Sequence, residues 1–241
     1  HGDISASNPL LVNSLLQRNT LVDRFVGSAS ADVDLLDMIG LKNKNHKLNY
    51  KLNLSYSKTH AKDRTWTSAW IQSNRVYLDK SNEKLTKTSR TYSDALIENT
   101  LTYDGTIGKH HINIVAGQTY EEETTDILTG WGIEFSEPYF LQLQNSKTTH
   151  SESFEYKHAL ASYIGRINYD YDGKYFGQLS YRREASSRFH PDHRWGNFYS
   201  FGGAWIMTKE PWMQEVKWLN ELKLKASFGQ NGNDNISDFL Y

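Results

Sequence analysis

Hydrophobic and polar residues alternate with a period of two along much of the chain. Between residues 47 and 57, leucine and tyrosine occupy every second position, and lysine, asparagine and serine fill the positions between them. A helix would distribute these residues around its circumference, whereas a β-strand places the two kinds on opposite faces. Residues 24–35 alternate in the same way, with Phe25 and Val33 on the more apolar face. Both segments are therefore predicted to be half-apolar strands.

Six later segments alternate less perfectly, which brings the prediction to eight strands, most of them about ten residues long. These segments are 91–103, 112–120, 159–169, 175–182, 198–206 and 222–228. The connections between the strands differ in length. Short turns containing glycine with aspartate or asparagine are predicted at 40–45, 104–108 and 170–173. Long polar connections are predicted at about 59–90 and 123–157, with a shorter one at 186–196. Short connections at one end and long ones at the other are typical of a transmembrane β-barrel.

One helix is predicted, over residues 210–222. Pro211 suits a first helical position, and Trp212, Val216 and Leu219 recur at helical spacing. We expect this helix to form a small cap on the side of the short turns.

The apolar faces have three properties of a surface that contacts lipid. Charged residues are frequent on the polar faces but rare on the apolar ones, and a lysine or arginine facing the bilayer centre costs about 2–4 kcal/mol. Tyrosines lie at the ends of the apolar faces, where a ring can occupy the headgroup level with its hydroxyl in water. The strand lengths match the ~9–11 residues that a tilted strand needs to cross a bilayer. The predicted fold class is therefore all-β, an antiparallel transmembrane β-barrel segment of about eight strands.

Two alternatives follow from the same pattern. A soluble β-sandwich also has half-apolar strands, since each sheet packs its apolar side on the other. Eight strands could also close into a small barrel. An open sheet edge leaves backbone groups unpaired in lipid, and the first and last strands lack the termini of a complete protein. We therefore expect further strands from the rest of a longer chain to complete the sheet.

The amino-acid composition excludes several classes of protein and several kinds of site. The 241 residues include 27 basic and 28 acidic side chains, for a net charge of −1, which argues against a nucleic-acid-binding protein. Aromatic residues make up 13% of the chain, which argues against disorder. No run approaches the ~18–20 apolar residues of a membrane helix. The absence of cysteine excludes disulfides, thiolate zinc sites and a cysteine nucleophile.

Several stretches carry a family pattern. They are 174–189, 194–198, 204–205 and 222–235, together with 8–9, 98–103 and 116–118. In this order they resemble the SusC-like (SusC/RagA) TonB-dependent outer-membrane transporters, in the middle-to-late part of the barrel, and they cover most of the chain apart from the long loops. The family usually has Asp-Gly-Ser-Ser where this chain has Glu-Ala-Ser-Ser at 184–187, a difference confined to a strand-to-loop corner.

The resemblance implies a barrel of ~22 strands filled by a plug domain, with short periplasmic turns and long extracellular loops. Residues 1–241 would be a partial barrel domain, without the plug and the N-terminal extension. The resemblance further implies a transporter of the bacterial outer membrane, not an enzyme and without a cofactor. Its implied partners are a SusD-like surface lipoprotein and, through the missing N-terminal part, the TonB complex. The implied substrate is an oligosaccharide or a peptide.

Aromatic residues of the long loops are the candidate substrate contacts. The proposed residues are Trp66, Trp70, Tyr77 and Trp131, and Phe135, Tyr139 and Phe140 accompany Trp131. Flat aromatic rings stack on the apolar faces of sugars, and a glycan would first arrive at an extracellular loop. The alternative is that these loops use the aromatic residues as their own core, or pack them against the lipoprotein.

Charged residues of the polar faces form a second candidate set. They are Arg24, Asp32, Asp34, Lys51, Arg166 and Arg182. They would line a solute path or contact the plug; the alternative is a solvated interior with internal ion pairs.

No catalytic or metal site is predicted. The chain has no nucleophile, phosphate-binding or zinc-protease motif. His190, Asp192 and His193 are too few ligands in one loop to hold a metal. The functions left open are an active transporter, a soluble β-sandwich module that binds glycans, and a passive porin.

Overall fold

The computed structural model describes residues 16–41, 44–68, 83–136, 140–234 and 236, and these residues form a single eight-stranded sheet. The strands are β1 (Leu16–Asp34), β2 (His46–Thr67), β3 (Lys84–Ile107), β4 (His110–Phe135), β5 (Ser146–Tyr171), β6 (Tyr175–Ser186), β7 (Trp195–Ile206) and β8 (Lys223–Gly229). Each strand is hydrogen-bonded to its neighbours in sequence order. The predicted all-β fold with eight strands is therefore confirmed for the described residues. One sheet rather than two stacked sheets contradicts the β-sandwich alternative.

Every strand except β8 is longer than the sequence predicts. β2 to β5 have 22 to 26 residues each and take up much of the segments 59–90 and 123–157 that were assigned to polar loops. Polar contacts across strands hold these extensions. The carboxylate of Asp63 in β2 accepts a hydrogen bond of 2.7 Å from the Thr20 hydroxyl and pairs with Arg90 of β3. Because such positions have no apolar face, the alternation that was used to delimit the strands does not reveal them.

The chain divides into two compact units. Among the described residues, unit 1 contains 16–26, 57–68, 83–94, 123–136 and 140–157, and unit 2 contains 27–41, 44–56, 95–122, 158–234 and 236. In unit 1 the buried hydrophobic cluster consists of Trp66, Leu85 and Phe135, with Leu141 and Leu143 packed against it. In unit 2 the antiparallel register of β5 to β8 determines which side chains share a face.

In unit 2 the register separates an apolar face from a polar face. Residues paired across antiparallel strands point to the same side of the sheet. One row across β5 to β8 consists of Ile167, Leu179, Phe201 and Phe228. The adjacent row on the opposite face consists of Arg166, Ser180, Ser200 and Gly229. The four apolar residues are 40% to 57% exposed, which is the state expected of side chains that lipid covers.

Along the strands, aromatic residues lie on either side of the apolar row, towards the short turns and towards the opposite ends of the strands. On the side of the short turns, the rings of Tyr175 and Trp205 stack with centroids 6.3 Å apart. On the other side, the rings of Tyr163 and Trp195 stack at 5.9 Å. Trp195 and Trp205 are ten positions apart in β7, which corresponds to ~33 Å along a strand and ~25 Å along the membrane normal at the usual tilt. This spacing equals the height of the apolar band of an outer-membrane barrel.

The β5–β6 hairpin confirms the short turn predicted at 170–173. Asp172 and Gly173 have φ of 57° and 61°, and the Lys174 N–H donates to the Tyr171 carbonyl at 3.0 Å. Two central residues with positive φ define the type I′ turn, for which Asp-Gly is a preferred pair. A hydrogen bond of 2.9 Å from Lys109 of the neighbouring β3–β4 turn lowers the pKa of Asp172 and raises the pKa of Lys109.

The prediction of a helix at 210–222 is wrong. The β7–β8 connection contains two single-turn 3₁₀ helices, Met207–Lys209 and Pro211–Met213, followed by turns. Glu210 lies between the two and keeps an extended backbone with φ −75° and ψ 143°. Its carboxylate accepts hydrogen bonds from the Tyr175 hydroxyl at 2.5 Å and from the Trp205 indole at 3.1 Å. An extended backbone at Glu210 is normal for the residue before a helix, and Pro211 does begin a single 3₁₀ turn. The helix does not continue because a segment of about 12 residues is marginal without tertiary packing.

A four-residue helix, α1 (Leu35–Met38), was not predicted. The sequence placed Leu35 on the apolar face of the first strand, but the strand ends at Asp34. The Asp34 carboxylate caps α1 by accepting from the N–H groups of Leu36 at 3.0 Å and Asp37 at 3.2 Å. In the described part of the chain, no helix has the length and apolar character needed to cross a membrane.

Leu179→Arg should destabilise the protein folded into phospholipid vesicles by about 2–4 kcal/mol, because the new charge would face the middle of the bilayer. Urea titration followed by tryptophan fluorescence measures this change. Gln178→Arg is the matched control, since residue 178 is the next position on β6 and faces the polar side. It should change the free energy of unfolding by less than about 1 kcal/mol. Equal effects at the two positions would contradict the assignment of faces.

Because the Glu210 carboxylate accepts hydrogen bonds in the folded protein, we expect the stability of the protein to depend on pH. The hydrogen bonds from Tyr175 and Trp205 lower its pKa in the folded protein. The stabilisation is therefore complete above the ordinary carboxyl pKa and is lost as the pH falls through the lowered value. Glu210→Gln should lower the Tm at pH 7, and its difference from the wild type should shrink below about pH 4.

To measure this Tm, samples are heated to a series of temperatures and run on a gel without boiling. The Tm is the temperature at which half of the folded band is lost. Glu215→Gln is the control, because Glu215 is an exposed residue of the same connection. It should leave the Tm unchanged at every pH. A difference between Glu210→Gln and the wild type that is independent of pH would show that the charge of Glu210 does not matter.

Candidate functional site

Trp66 lies in a small core rather than in a loop. It stands near the end of β2 and is 5% exposed. Its ring meets the ring of Phe135 edge-on, with centroids 5.2 Å apart and an interplanar angle of 82°, and Leu85 completes the buried cluster. The buried carboxylate of Glu83 accepts the backbone N–H of Phe135 at 2.8 Å and fixes the end of β4. In this structure Trp66 therefore presents little of its ring to a solute.

Trp131 is a partly exposed residue of β4. Its ring stacks on His150 of β5 with centroids 4.1 Å apart and an interplanar angle of 21°. The Lys84 ammonium lies 4.3 Å from the ring centroid, within the range of a cation–π contact. Trp131 combines an aromatic surface with a nearby cation, and it remains a predicted substrate contact.

Three other aromatic candidates, Trp70, Tyr77 and Tyr139, lie outside the described residues. Phe140 is described and is 57% exposed. The loop boundaries in the sequence prediction placed Trp66, Trp131 and Phe135 in loops, whereas all three belong to strands.

The register brings two of the predicted charged residues together. Arg166 of β5 and Arg182 of β6 line one cavity of about 490 Å³ on the polar face of unit 2. The Arg182 guanidinium forms an ion pair of 2.5 Å with Glu184, and Arg166 is exposed. Asp34, from the same predicted set, is instead the cap of α1. Asp32 accepts a hydrogen bond of 2.6 Å from the Asn49 amide.

The segment that follows β8 contributes to the cavity, a role that the alternation of the sequence does not predict. Gln230, Asn231 and Gly232 line the cavity together with the arginines. A Cβ at Gly232 would lie 2.4 Å from the Phe198 ring, so only glycine lets this backbone pass over the ring. The run Gln-Asn-Gly-Asn-Asp at 230–234 belongs to the family pattern, and its density of amides is the signal in the sequence from which a binding surface could be predicted.

A buried histidine secures this segment. His158 is 5% exposed, and its Nε2 lies 3.2 Å from the Ser186 hydroxyl and 3.3 Å from an Asp234 carboxylate oxygen. Arg188 donates a hydrogen bond of 3.3 Å to the Asp234 carbonyl. These contacts hold the segment against the middle of β5 and the end of β6, so the cavity wall is preorganised.

The chemistry of the cavity is that of a binding surface. Guanidinium and amide groups hydrogen-bond hydroxyl, carbonyl or carboxylate groups, and the Phe198 ring adds an apolar contact. In the described ranges, no group of three or more histidine, aspartate or glutamate residues could hold a metal ion. His190 and Asp192 approach each other at 3.5 Å in the β6–β7 connection.

Comparisons with known proteins place this sheet in a family. No protein-family model matches the chain. The chain is 30% identical over 214 residues to the TonB-dependent receptor P39 of Formosa agariphila. These residues are 83% of this chain and 18% of the receptor. The chain is 30% identical over 143 residues to the TonB-dependent receptor SusC of Bacteroides thetaiotaomicron, which covers 58% of the chain and 14% of the receptor. The fold matches a chain in a structure of the RagAB peptide importer with a TM-score of 0.73 at 21% identity, over 96% of this chain and 24% of that one.

This chain has the sequence and fold of a segment of a SusC/RagA-like TonB-dependent receptor. The chain spans about a fifth of the length of P39 and of a second TonB-dependent receptor of Formosa agariphila, P26, with 18% and 23% covered. Such receptors are not enzymes. In a barrel the face of β5 to β8 that carries Leu179 and Phe201 is the lipid side, and the face with Arg166 and Arg182 is the lumen side.

Trp66→Ala should destabilise the core of unit 1 by about 3–5 kcal/mol, because it leaves a cavity beside Phe135 and Leu85. Hydrogen exchange of the backbone amides at the start of β3 and the end of β4 in the folded receptor measures this change. Trp131→Ala is the matched control and should cost about 1 kcal/mol, since it removes mainly surface contacts with Lys84 and His150. If Trp66→Ala left exchange unchanged, Trp66 would not be a core residue.

Proposed function

We propose that this segment forms part of the wall of an outer-membrane transporter that imports oligosaccharides or peptides in a TonB-dependent manner, together with a SusD-like lipoprotein. The observation that carries the proposal is the two-faced sheet of unit 2. Its outward row Ile167, Leu179, Phe201 and Phe228 is apolar and exposed, and the paired aromatic rings stand ~25 Å apart around it.

The relatives support the import function. SusC and P39 are named TonB-dependent receptors, and the structural neighbour RagAB is described as a peptide importer. By the family resemblance, a plug and an N-terminal part outside residues 1–241 would fill the barrel and contact the TonB complex. A SusD-like lipoprotein would cover the extracellular mouth, and the short turns would face the periplasm.

The lumen wall supplies groups suited to a polar solute. The cavity lined by Arg166, Arg182 and Asn231 offers charged and amide donors, and Phe198 offers a ring. Sugars and peptides both carry the hydroxyl or carbonyl oxygens that such donors bind. We propose this wall as a contact along the path of the solute. Among the aromatic candidates, Trp131 of β4 is partly exposed, which suits a first contact, and Trp70 and Tyr77 remain predicted contacts.

Uptake of labelled oligosaccharides and labelled peptides by cells that make the full-length receptor tests the proposal. Uptake should be lost when TonB or the lipoprotein is deleted, and the labelled class that enters identifies the substrate. Uptake that continues without TonB would instead indicate a passive porin.

At the level of residues, Arg166→Gln should raise the half-saturation concentration for uptake about tenfold, the usual effect of one hydrogen bond to a charged group. Lys217→Gln in the β7–β8 connection removes an exposed charge away from the wall and should have no effect. An unchanged half-saturation concentration in Arg166→Gln would exclude this part of the wall from the solute path.

A further inference from the structure

The lipid side of β5 to β8 carries one charged residue among the paired positions that the structure describes. The outward positions on these strands are occupied by tyrosine, tryptophan, phenylalanine, leucine, isoleucine, alanine, glycine and one asparagine, with Arg183 of β6 as the exception. By contrast, the lumen side holds charges on β5, β6 and β8, including Arg182, the preceding residue. An isolated cation on a surface that otherwise excludes charge calls for a specific partner.

Arg183 stands in a polar and aromatic patch. In the register it pairs with Tyr163 of β5 and Asn197 of β7. Its guanidinium carbon lies 4.8 Å from the centroid of the Trp195 ring, which in turn stacks on Tyr163. The Tyr181 hydroxyl donates a hydrogen bond of 2.7 Å to the Asn197 side-chain oxygen. This bond orients the amide so that its NH₂ group stays available as a donor.

The depth of Arg183 matches the membrane surface on the side of the loops. It is eight positions from Tyr175, which lies in the aromatic row near the short turns. Eight residues correspond to ~26 Å along a strand and ~20 Å along the membrane normal. Trp195 lies one row further from the turns. The guanidinium is therefore at the edge of the hydrocarbon, where an arginine can extend its head towards the headgroups.

Arg183 has no acidic partner within the described part of the receptor. Arg182 is paired with Glu184, whereas the contact recorded for the Arg183 guanidinium is the ring of Trp195. A guanidinium that lies over an aromatic ring keeps its N–H donors in its own plane, where they can meet an anion at the edge. Phosphate oxygens match this fork of donors in geometry and charge.

We propose that Arg183, Asn197 and Trp195 form a binding site for a phosphate of lipid A in the outer leaflet. The Arg183 guanidinium and the Asn197 amide would donate to the phosphate oxygens, and the Trp195 ring would lie at the level of the sugar headgroup. Assigning the loop side to the outer leaflet rests on the proposed function. The site would anchor the receptor wall to a specific headgroup in addition to the non-specific apolar contact.

Native mass spectrometry of the full-length receptor, titrated in detergent with lipid A that carries its phosphates, tests the site. Arg183→Gln should weaken lipid A binding about tenfold, and Asn197→Ala should weaken it about threefold. Arg182→Gln is the matched control: it removes the same charge from the neighbouring position on the opposite face and should leave lipid A binding unchanged. Wild-type affinity in Arg183→Gln, or equal loss in both arginine variants, would overturn the proposal.

The ligand itself is tested on the wild-type receptor. Dephosphorylated lipid A should bind about tenfold more weakly than the phosphorylated form, and phosphatidylglycerol should compete poorly. Equal binding of the phosphorylated and dephosphorylated forms, or full competition by phosphatidylglycerol, would overturn the assignment to a lipid A phosphate.

Uptake measurements separate this proposal from the proposed function. Arg183→Gln should retain TonB-dependent uptake, because Arg183 does not face the lumen. Loss of TonB-dependence in the wild type would count against the transporter, whereas wild-type lipid A binding in Arg183→Gln would count against the lipid site alone. Arg183→Lys keeps the charge without the fork of donors and should bind lipid A with intermediate affinity, which guards against a folding defect in the glutamine variant.

Discussion

A sheet in a membrane must pair every backbone hydrogen-bonding group within itself, because hydrocarbon offers no partners. This constraint fixes the strands in an uninterrupted antiparallel order, and the pleat then sends alternate side chains into two different media. Leu179 meets the lipid side while Gln178 and Ser180 meet the lumen side. A shift of one residue in register would exchange the two faces of a strand, so the whole arrangement depends on holding the register.

The contacts near the short turns hold that register. The type I′ turn at Asp172 and Gly173 leaves a single pairing for β5 and β6, and the Lys109–Asp172 ion pair ties this hairpin to the turn before it. Glu210 performs the corresponding task one hairpin later, since its carboxylate joins the β7–β8 connection to Tyr175 and Trp205. The same aromatic residues that border the apolar band thus also donate the hydrogen bonds that fix the strand ends.

Alternation along the sequence was sufficient to predict the eight strands and the two faces, and the Asp and Gly residues predicted the turn at 170–173, because each depends on residues close in the chain. The extended lengths of β2 to β5 could not be predicted in this way, since cross-strand contacts such as Arg90 with Asp63 are formed between residues far apart in sequence. The helix predicted at 210–222 is reduced to single turns, because the stability of a helix of about 12 residues depends on tertiary packing, which local spacing does not show.

The candidate site was predictable by residue type but not by arrangement. Arg166 and Arg182 were identified as polar-face residues, and the hairpin could have placed them together, since the turn sets Arg166 opposite Ser180 and two positions from Arg182. The contribution of Gln230 and Asn231 required the structure, because it depends on where the chain travels after β8. The burial of Trp66 likewise depends on Phe135 and Leu85, which belong to two other strands.

The strands of this sheet are long enough to contact both lipid and water. β4 has 26 residues, more than twice the ~9–11 that a strand needs to cross a bilayer, so a large part of it must lie in water. Where the sheet meets lipid, apolar side chains such as Leu179 face outwards and no core is required. In water the same backbone needs other support, which the Trp66–Phe135 core and hydroxyl pairs such as Thr88 with Thr129 at 3.3 Å provide in unit 1. The aromatic residues that the sequence offered as sugar contacts therefore include at least one, Trp66, whose burial is explained by the need to stabilise strand outside the membrane.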